Sequence, residues 1–261
     1  MSETITPQHV PSPLCEDFKK LKLKNWILNV DESLREIFPE QQKLVIAMLS
    51  KWCAQEVSDR KTSLIQSRIK SAKFKRIQTV EEFDFTHSKT TQSIQKRYLE
   101  LYNSVSPDLL PSAVFSGNAG LGKTHLARAL GYHACQHGMS VFFIAAGDMV
   151  NQLLHAQKVY QLDSELNKYR RPQVLIIDEL GYVSLDNQAS NLFFQVISAR
   201  HDQGLGTITT TNMPFGKFNQ IFASDAIAHA IVDRLVNEAE VFFMEGISYR
   251  EHQRAQKKNH K

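Results

Sequence analysis

One segment of the sequence has the residue types and the spacing of a phosphate-binding loop. The segment GNAGLGKT matches the pattern G-x-x-x-x-G-K-[ST]. Small residues let consecutive backbone N–H groups point inward around a phosphate, and the following helix adds the positive end of its dipole. Lys123 is expected to contact the β- and γ-phosphates, and the Thr124 hydroxyl to bind Mg²⁺. The predicted nucleotide-binding residues are Gly117, Asn118, Ala119, Gly120, Leu121, Gly122, Lys123, Thr124 and His125.

Two adjacent acids follow a later apolar run, where Val174 to Ile177 lead directly into Asp178 and Glu179. In a doubly wound sheet, the carboxyl end of a buried strand lies beside the phosphate loop. Asp178 is placed there to hold Mg²⁺ through its water shell. Glu179 is placed to orient and deprotonate an attacking water. Two acids can also merely end a strand in solvent, but the phosphate loop upstream favours a site for nucleotide hydrolysis.

A third candidate, Asn212, comes at the end of the strand predicted over Thr207–Thr211. A polar side chain there is able to bridge the attacking water and the γ-phosphate. The alternative, an Asn that caps a turn before Pro214, stays equally open from the residues alone. A small-molecule kinase also uses a phosphate loop, but it usually lacks a second acid after the Mg²⁺ aspartate, because its acceptor is not water. The adjacent acids therefore favour hydrolysis over transfer to a metabolite.

These residues need an α/β domain to bring them together, and the sequence predicts one over residues 111–250. Short apolar runs alternate there with helical stretches. Strands that are apolar on both faces are typical of a parallel sheet covered by helices. The runs are Ala113–Phe115, Val141–Ile144, Val174–Ile177, Thr207–Thr209 and Val241–Phe243.

The part of the chain before this domain has a different pattern. Residues 14–76 contain no Gly and one Pro, with apolar residues at helical spacing, which predicts a helical domain of two or three helices. Trp26 and Trp52 lie in this pattern and are predicted to be core residues. Residues 1–13 predict a flexible tail, 77–110 a connector with a helix near Thr91–Tyr102, and 251–261 a basic tail.

Composition excludes several classes of protein. The 261 residues are 42% hydrophobic and 22% charged, as in soluble globular proteins and unlike collagen-like, mucin-like or disordered chains. The three cysteines form no CxxC pair, which indicates a reducing compartment and excludes a Cys-based zinc knuckle. No apolar run approaches the roughly 20 residues of a membrane span, and the N-terminus lacks the features of a signal peptide. The sequence predicts a cytoplasmic protein without a membrane partner.

Positive charge is concentrated locally. The formal charge of +4 equals the net charge of Arg250–Lys261, so the rest of the chain is neutral overall. Residues 60–80 nevertheless carry seven Lys and Arg residues and no acid. Such a cluster attracts DNA phosphates, because their neutralisation releases counterions. The alternative is an ordinary solvated helix face. The predicted DNA-binding residues are Arg68, Lys70, Lys73, Lys75 and Arg76.

Several motifs together resemble a known family. GNAGLGKTHLARAL, VLIIDELGY, NLFFQVISAR, TITTTN, DRL and EGISYR occur in this order and resemble the IstB-like transposition helper ATPases, which belong to the AAA+ initiator clade with the DnaC-type helicase loaders. SRIKSAKF and VEEFDF are similar to the basic helix and acidic-aromatic element that precede the ATPase core in that family. The resemblance covers roughly residues 15–250. The loop has Gly-Asn-Ala-Gly where many members have Gly-Pro-Pro-Gly, and both forms keep small residues.

The resemblance implies a five-stranded parallel sheet in AAA+ order behind a small helical domain. It implies ATP and Mg²⁺ as cofactors, assembly on double-stranded DNA into a ring or helical oligomer, and delivery of that DNA to an integrase-type transposase. It places Asn212 at the sensor-1 position, Arg234 at the arginine-finger position and Arg250 at the sensor-2 position. Residues 147–166 correspond to the clade's extra helix beside the DNA path. A DnaC-like helicase loader remains the main alternative; a P-loop kinase is disfavoured by the acidic pair and by Arg234.

Overall fold

A computed structural model of the chain describes residues 10–246 and 248–249. The chain divides into two compact units, the first ending at Gln66 and the second beginning at Ser67. The division comes earlier than the domain boundary predicted at residue 76. The physical reason is Ala72, which is fully buried in the core of the second unit and whose carbonyl accepts a hydrogen bond from the N–H of Phe143 (2.9 Å).

The first unit is helical, as predicted. It contains α1 (Ser12–Lys20), α2 (Lys24–Arg35) and most of α3 (Pro39–Ser71). The described part of the predicted tail already includes the start of α1 at Ser12. The core of this unit consists of Leu14, Phe18, Leu21, Leu34, Ile46 and Cys53.

The prediction that Trp26 and Trp52 are core residues was wrong. Met48 and Trp52 on α3 are 41% and 59% exposed, and Trp26 on α2 is 48% exposed. The α3 face that includes Ile46 and Cys53 is buried instead. Helix α3 carries apolar residues on more than one face, and periodicity alone does not select the face that packs.

The segment predicted as a connector belongs to the second unit. It contains a 3₁₀ turn at Phe85–His87 and helix α4 (Lys89–Ser104), which confirms the predicted helix near Thr91–Tyr102. A capping box starts α4: the Ser88 side chain accepts from the Thr91 backbone N–H, and the Thr91 side chain accepts from the Ser88 N–H. Phe85 and Tyr98 are buried in the core of this unit.

The sheet has five parallel strands in the order β2-β3-β4-β1-β5, which confirms the predicted architecture. The strands are β1 (Ala113–Gly117), β2 (Val141–Ala145), β3 (Val174–Leu180), β4 (Gly206–Thr211) and β5 (Glu240–Met244). Strand β4 lies between β3 and β1, and its Thr211 pairs with Leu180 on one side and Ser116 on the other. The carboxyl ends of three adjacent strands therefore meet at one edge of the sheet.

Helices cover both faces of this sheet. They are α5 (Lys123–Gln136), α6 (Ala146–Lys158), α7 (Leu162–Arg170), α8 (Asn187–Asp202) and α9 (Asp225–Val236). Val114 packs with the helices of one face, whereas its neighbour Phe115 packs with α4 and α5 on the other. Side chains alternate between faces along a strand, so burial on both sides explains the continuous apolar runs in the sequence.

Candidate nucleotide site

The phosphate loop joins β1 to α5, in the strand–loop–helix context that the motif requires. Gly117 has a φ of +145°, and a Cβ atom there would lie 1.8 Å from the carbonyl oxygen of Met244. Gly122, just before α5, has a φ of +87°, and a Cβ atom there would lie 2.4 Å from the Phe83 ring. Both positions require glycine, for the backbone conformation and for the close approach of neighbouring atoms.

Lys123 lies inside the loop with 9% exposure. Its ammonium Nζ donates hydrogen bonds to the carbonyl oxygens of Gly117 (2.7 Å) and Asn118 (2.6 Å). Burial lowers the pKa of Lys123, and the negative charge of Asp178 partly opposes this effect. A phosphate oxygen is negatively charged, so its Coulombic attraction to the ammonium lets it compete well with these neutral carbonyls.

Direct hydrogen bonds connect the loop to the first acid. The Thr124 hydroxyl donates to Asp178 Oδ1 (2.8 Å), and the Thr210 hydroxyl donates to the same oxygen (2.6 Å). Asp178 is 5% exposed. The two residues predicted as metal ligands, Thr124 and Asp178, are therefore in contact.

The chemistry of these donors fits Mg²⁺. Hydroxyl and carboxylate oxygens are hard ligands, and proteins usually hold this ion through one or two carboxylates together with substrate phosphates. Across residues 10–246 and 248–249, no group of three or more His, Cys, Asp and Glu side chains could hold a metal ion. The adjacent oxygens of Thr124 and Asp178 suit an ion that shares its coordination with a nucleotide.

Glu179 adopts a left-handed backbone conformation with a φ of +61°, which is uncommon outside glycine. Its N–H donates to the Thr210 hydroxyl oxygen (3.0 Å), and its side chain is exposed. Asn212 lies beside the same turn, because a Cβ atom on Gly181 would stand 3.2 Å from Asn212 Oδ1. The structure therefore brings Asp178, Glu179 and Asn212 together next to the loop.

His125 contacts the protein through its ring. Nδ1 lies 2.9 Å from Gln78 Nε2, and Nε2 lies 2.7 Å from the carbonyl oxygen of Thr79. Gln78 also accepts from Arg128 Nη1 (3.2 Å), so its side chain joins two residues of α5. Both ring nitrogens of His125 therefore contact the segment before Phe83. The predicted nucleotide contact of His125 is left to its backbone, which lies in the first turn of α5.

Two residues of this site, Thr210 and Gln78, were not predicted from the sequence. A signal for the first was present: Thr209, Thr210 and Thr211 place three successive hydroxyls in a strand predicted to be buried. Buried hydroxyls need hydrogen-bond partners. No comparable signal marks Gln78, because its contacts depend on how the segment before the sheet packs on α5.

Arg234 lies away from this site. Its guanidinium stacks over the ring of Phe194 (5.0 Å), and Nη1 donates to the Ala230 carbonyl (3.0 Å). It lines a small pocket with Ser112 and Thr207, at the amino ends of the strands. This edge is roughly 13 Å along β1 from the phosphate loop, at about 3.3 Å per residue.

An arginine on a helix surface often pairs with a nearby acid, and Asp233 and Glu238 are the acids close to Arg234 in the sequence. Within the described part of the chain, no salt bridge includes Arg234. The other predicted arginine, Arg250, lies outside the described residues.

The basic residues predicted to bind DNA all lie in the second unit. Helix α3 ends at Ser71, so Lys73, Lys75 and Arg76 follow the helix and are not part of it. The Arg68 guanidinium donates to the Gly138 carbonyl (3.2 Å), and Lys73 Nζ lies 5.1 Å from the centre of the Phe142 ring. Lys70, Lys73, Lys75 and Arg76 are exposed. No helix that the structure describes is long and apolar enough to span a bilayer.

Comparison with known proteins gives the family. The family model described as IstB-like ATP binding protein matches residues 17–257. The chain belongs to this family. An ATP-binding protein of insertion sequence IS5376 from Geobacillus stearothermophilus is 36% identical over 195 residues, 75% of this chain and 76% of that protein. The corresponding protein of IS21 from Pseudomonas aeruginosa is 30% identical over 231 residues, 88% of this chain and 86% of that protein.

Solved structures confirm the AAA+ fold of this IstB-like chain. The DnaC helicase loader superposes with a TM-score of 0.56 at 18% identity, over 64% of this chain and 96% of that one. AMPPCP-bound DnaA from Aquifex aeolicus superposes with a TM-score of 0.54 at 19% identity, over 70% of this chain and 55% of that one. At this level of identity the likeness concerns the fold alone.

Proposed function

We propose that this IstB-like chain hydrolyses ATP with Mg²⁺ while assembled on double-stranded DNA, and that it assists a partner transposase of integrase type. One observation carries the proposal: the loop hydroxyl of Thr124 is hydrogen-bonded to Asp178, and Glu179 follows directly in a conformation held by β4. Two of the relatives are named as ATP-binding proteins of insertion sequences, which supports the setting in transposition.

Each residue has a distinct part in the proposed reaction. The backbone N–H groups of the loop and the Lys123 ammonium bind the β- and γ-phosphates. Thr124 and Asp178 would hold Mg²⁺, which neutralises charge on the phosphate oxygens when it is bound. Glu179 accepts a proton from the attacking water, and Asn212 orients that water against the γ-phosphate.

Substitution of Glu179 by Gln tests the hydrolysis directly. Glu179→Gln keeps the shape and polarity of the side chain but removes its basicity. We expect hydrolysis to slow by roughly 10²–10⁴-fold, the range for losing a general base, while ATP binding is retained. Lys123→Ala, in contrast, should weaken ATP binding itself. Phosphate release measures the loss of hydrolysis, and an equilibrium titration with nucleotide measures the loss of ATP binding. Hydrolysis at the wild-type rate by Glu179→Gln would show that Glu179 is not the base.

The choice of partner is tested by two baits. An integrase-type transposase and the replicative helicase, both from the same cell, are presented to the protein with ATP and DNA. The proposal expects saturable, ATP-dependent binding to the transposase. Binding to the helicase alone would favour the loader function, for which the shared fold with DnaC gives only an architectural precedent.

A further inference from the structure

A single hydroxyl on β4 contacts both acids of the proposed site. Thr210 is 2% exposed. Its Oγ1 donates to Asp178 Oδ1 (2.6 Å) and accepts from the backbone N–H of Glu179 (3.0 Å). A hydroxyl has one donor and two acceptor lone pairs, so both bonds can form at once. The hydroxyl proton of Thr210 must point to the Asp178 carboxylate, because the other hydrogen bond uses the proton of the Glu179 N–H.

The pairing of β3 with β4 explains why this contact exists. Ile177 pairs with Thr209 and Leu180 pairs with Thr211, with a register shift between them. Two residues of β3, Asp178 and Glu179, therefore lie opposite one residue of β4, Thr210. This two-against-one arrangement is a β-bulge, and bulges change the direction in which side chains point. In a regular strand the two acids would point to opposite faces of the sheet.

The bulge carries a conformational cost at Glu179. A φ of +61° is unfavourable for a residue with a Cβ atom. Such conformations persist where the surrounding structure holds them in place. The bond from the Glu179 N–H to the Thr210 hydroxyl is such a restraint, because it fixes the peptide that precedes the strained residue.

We propose that Thr210 is a positioning residue for the acidic pair, an inference that rests on the proposed ATP hydrolysis. Its hydroxyl fixes the rotamer of Asp178 by binding Oδ1, and it holds the bulge in which Glu179 lies. Loss of the hydroxyl should therefore affect both the Mg²⁺ requirement, through Asp178, and the chemical step, through Glu179.

The neighbouring residue supplies a matched control. Thr209 lies on the same strand and is fully buried, but its hydroxyl has no hydrogen-bond partner within the described part of the chain. Thr210→Val and Thr209→Val remove the same atom, keep a β-branched side chain and differ only in the bonds that are lost. Thr210→Ser restores the hydroxyl, and Thr210→Cys supplies a weaker partner.

Two measurements are made on each full-length variant: steady-state ATP hydrolysis, and binding of a fluorescent ATP analogue over a range of Mg²⁺ concentrations. We expect Thr210→Val to lower kcat by roughly 10–100-fold, the usual effect of losing a residue that orients a metal ligand. It should also raise the Mg²⁺ concentration needed for half-maximal binding. Thr210→Ser and Thr209→Val should resemble the wild type, and Thr210→Cys should fall between.

Two outcomes would overturn the proposal. One is a Thr210→Val protein that matches Thr209→Val in kcat and in Mg²⁺ dependence. The other is failure of Thr210→Ser to restore either quantity. Thermal unfolding of each variant identifies loss of fold, and if Thr210→Val does not fold, the Ser and Cys variants carry the comparison. If the wild type binds Mg²⁺–nucleotide but does not hydrolyse it, the proposed function fails, whereas the Mg²⁺ titration still decides the role of Thr210.

Discussion

Lys123 shows how much the function of one residue depends on its surroundings. Its ammonium lies against two loop carbonyls and near the carboxylate of Asp178. Burial removes water from the charge and lowers the pKa, while Asp178 favours the charged form. A phosphate that binds here needs the charged lysine, so nucleotide affinity is linked to the protonation of this group.

The expected consequence is a decline of ATP affinity on the alkaline side. Affinity should fall as the pH rises through the lowered pKa of Lys123, below the ordinary value of 10.5, because the neutral amine no longer attracts phosphate. Asp178→Asn removes the opposing charge and should shift this decline to lower pH. Equilibrium binding of ATP across an alkaline pH series measures both midpoints. An unchanged midpoint in Asp178→Asn would contradict the electrostatic link.

At the scale of elements, the end of α3 carries a group of exposed basic side chains. Arg68 is bound to the Gly138 carbonyl, and Lys73 lies over the ring of Phe142. Lys70, Lys73, Lys75 and Arg76 are all exposed, on either side of the helix end at Ser71. A surface that neutralises phosphates without reading bases gives salt-dependent binding with little sequence preference.

Removal of three lysines tests this surface. Lys70→Ala, Lys73→Ala and Lys75→Ala in one protein should flatten the log–log dependence of DNA affinity on salt by roughly two to three units. A control with the same loss of charge changes three other exposed lysines, Lys89, Lys96 and Lys217. Salt titrations of DNA binding compare the slopes. Equal slopes for the two triple variants would show that DNA contacts another surface, and residues 147–166 would be the next candidate.

At the scale of the whole molecule, the phosphate loop and Arg234 lie at opposite ends of the strands of the sheet. The loop follows the carboxyl end of β1, whereas Arg234 lines a pocket with residues at the amino ends of the strands. An arginine that stabilises the transferred phosphate can raise the rate by 10³–10⁵-fold. Arg234 cannot reach the nucleotide of its own chain across the sheet, so such a role requires a second copy.

Mixing two inactive variants tests action between subunits. Arg234→Ala should abolish hydrolysis but keep ATP binding, and Lys123→Ala should be inactive because its ATP binding is weakened. A head-to-tail assembly of both contains interfaces that pair an intact loop with an intact Arg234. Hydrolysis should therefore partly return in the mixture, as measured by phosphate release with co-assembly verified by sedimentation. If co-assembled mixtures stay inactive at every ratio, Arg234 does not act on a neighbouring copy.

Local patterns in the sequence were sufficient to predict the positions of the phosphate loop, the acidic pair and the five strands. Each is marked by residue types in consecutive positions of the chain. Gly117 and Gly122 mark backbone conformations that need glycine, and Lys123 follows where a helix must begin. Val174 to Ile177 are apolar without alternation because helices cover both faces of β3.

Other features were decided only by the tertiary structure, because they depend on residues that are distant in sequence. Met48 and Trp52 have the spacing of a buried face, yet packing in the first unit buries the face with Ile46 instead. Thr210 contacts the acidic pair because β4 lies next to β3 with an irregular register. Arg234 is remote from the loop because α9 ends at the opposite edge of the sheet. Spacing along a chain determines which residues share a strand or a helix face, whereas strand order, register and packing determine which of those faces meet.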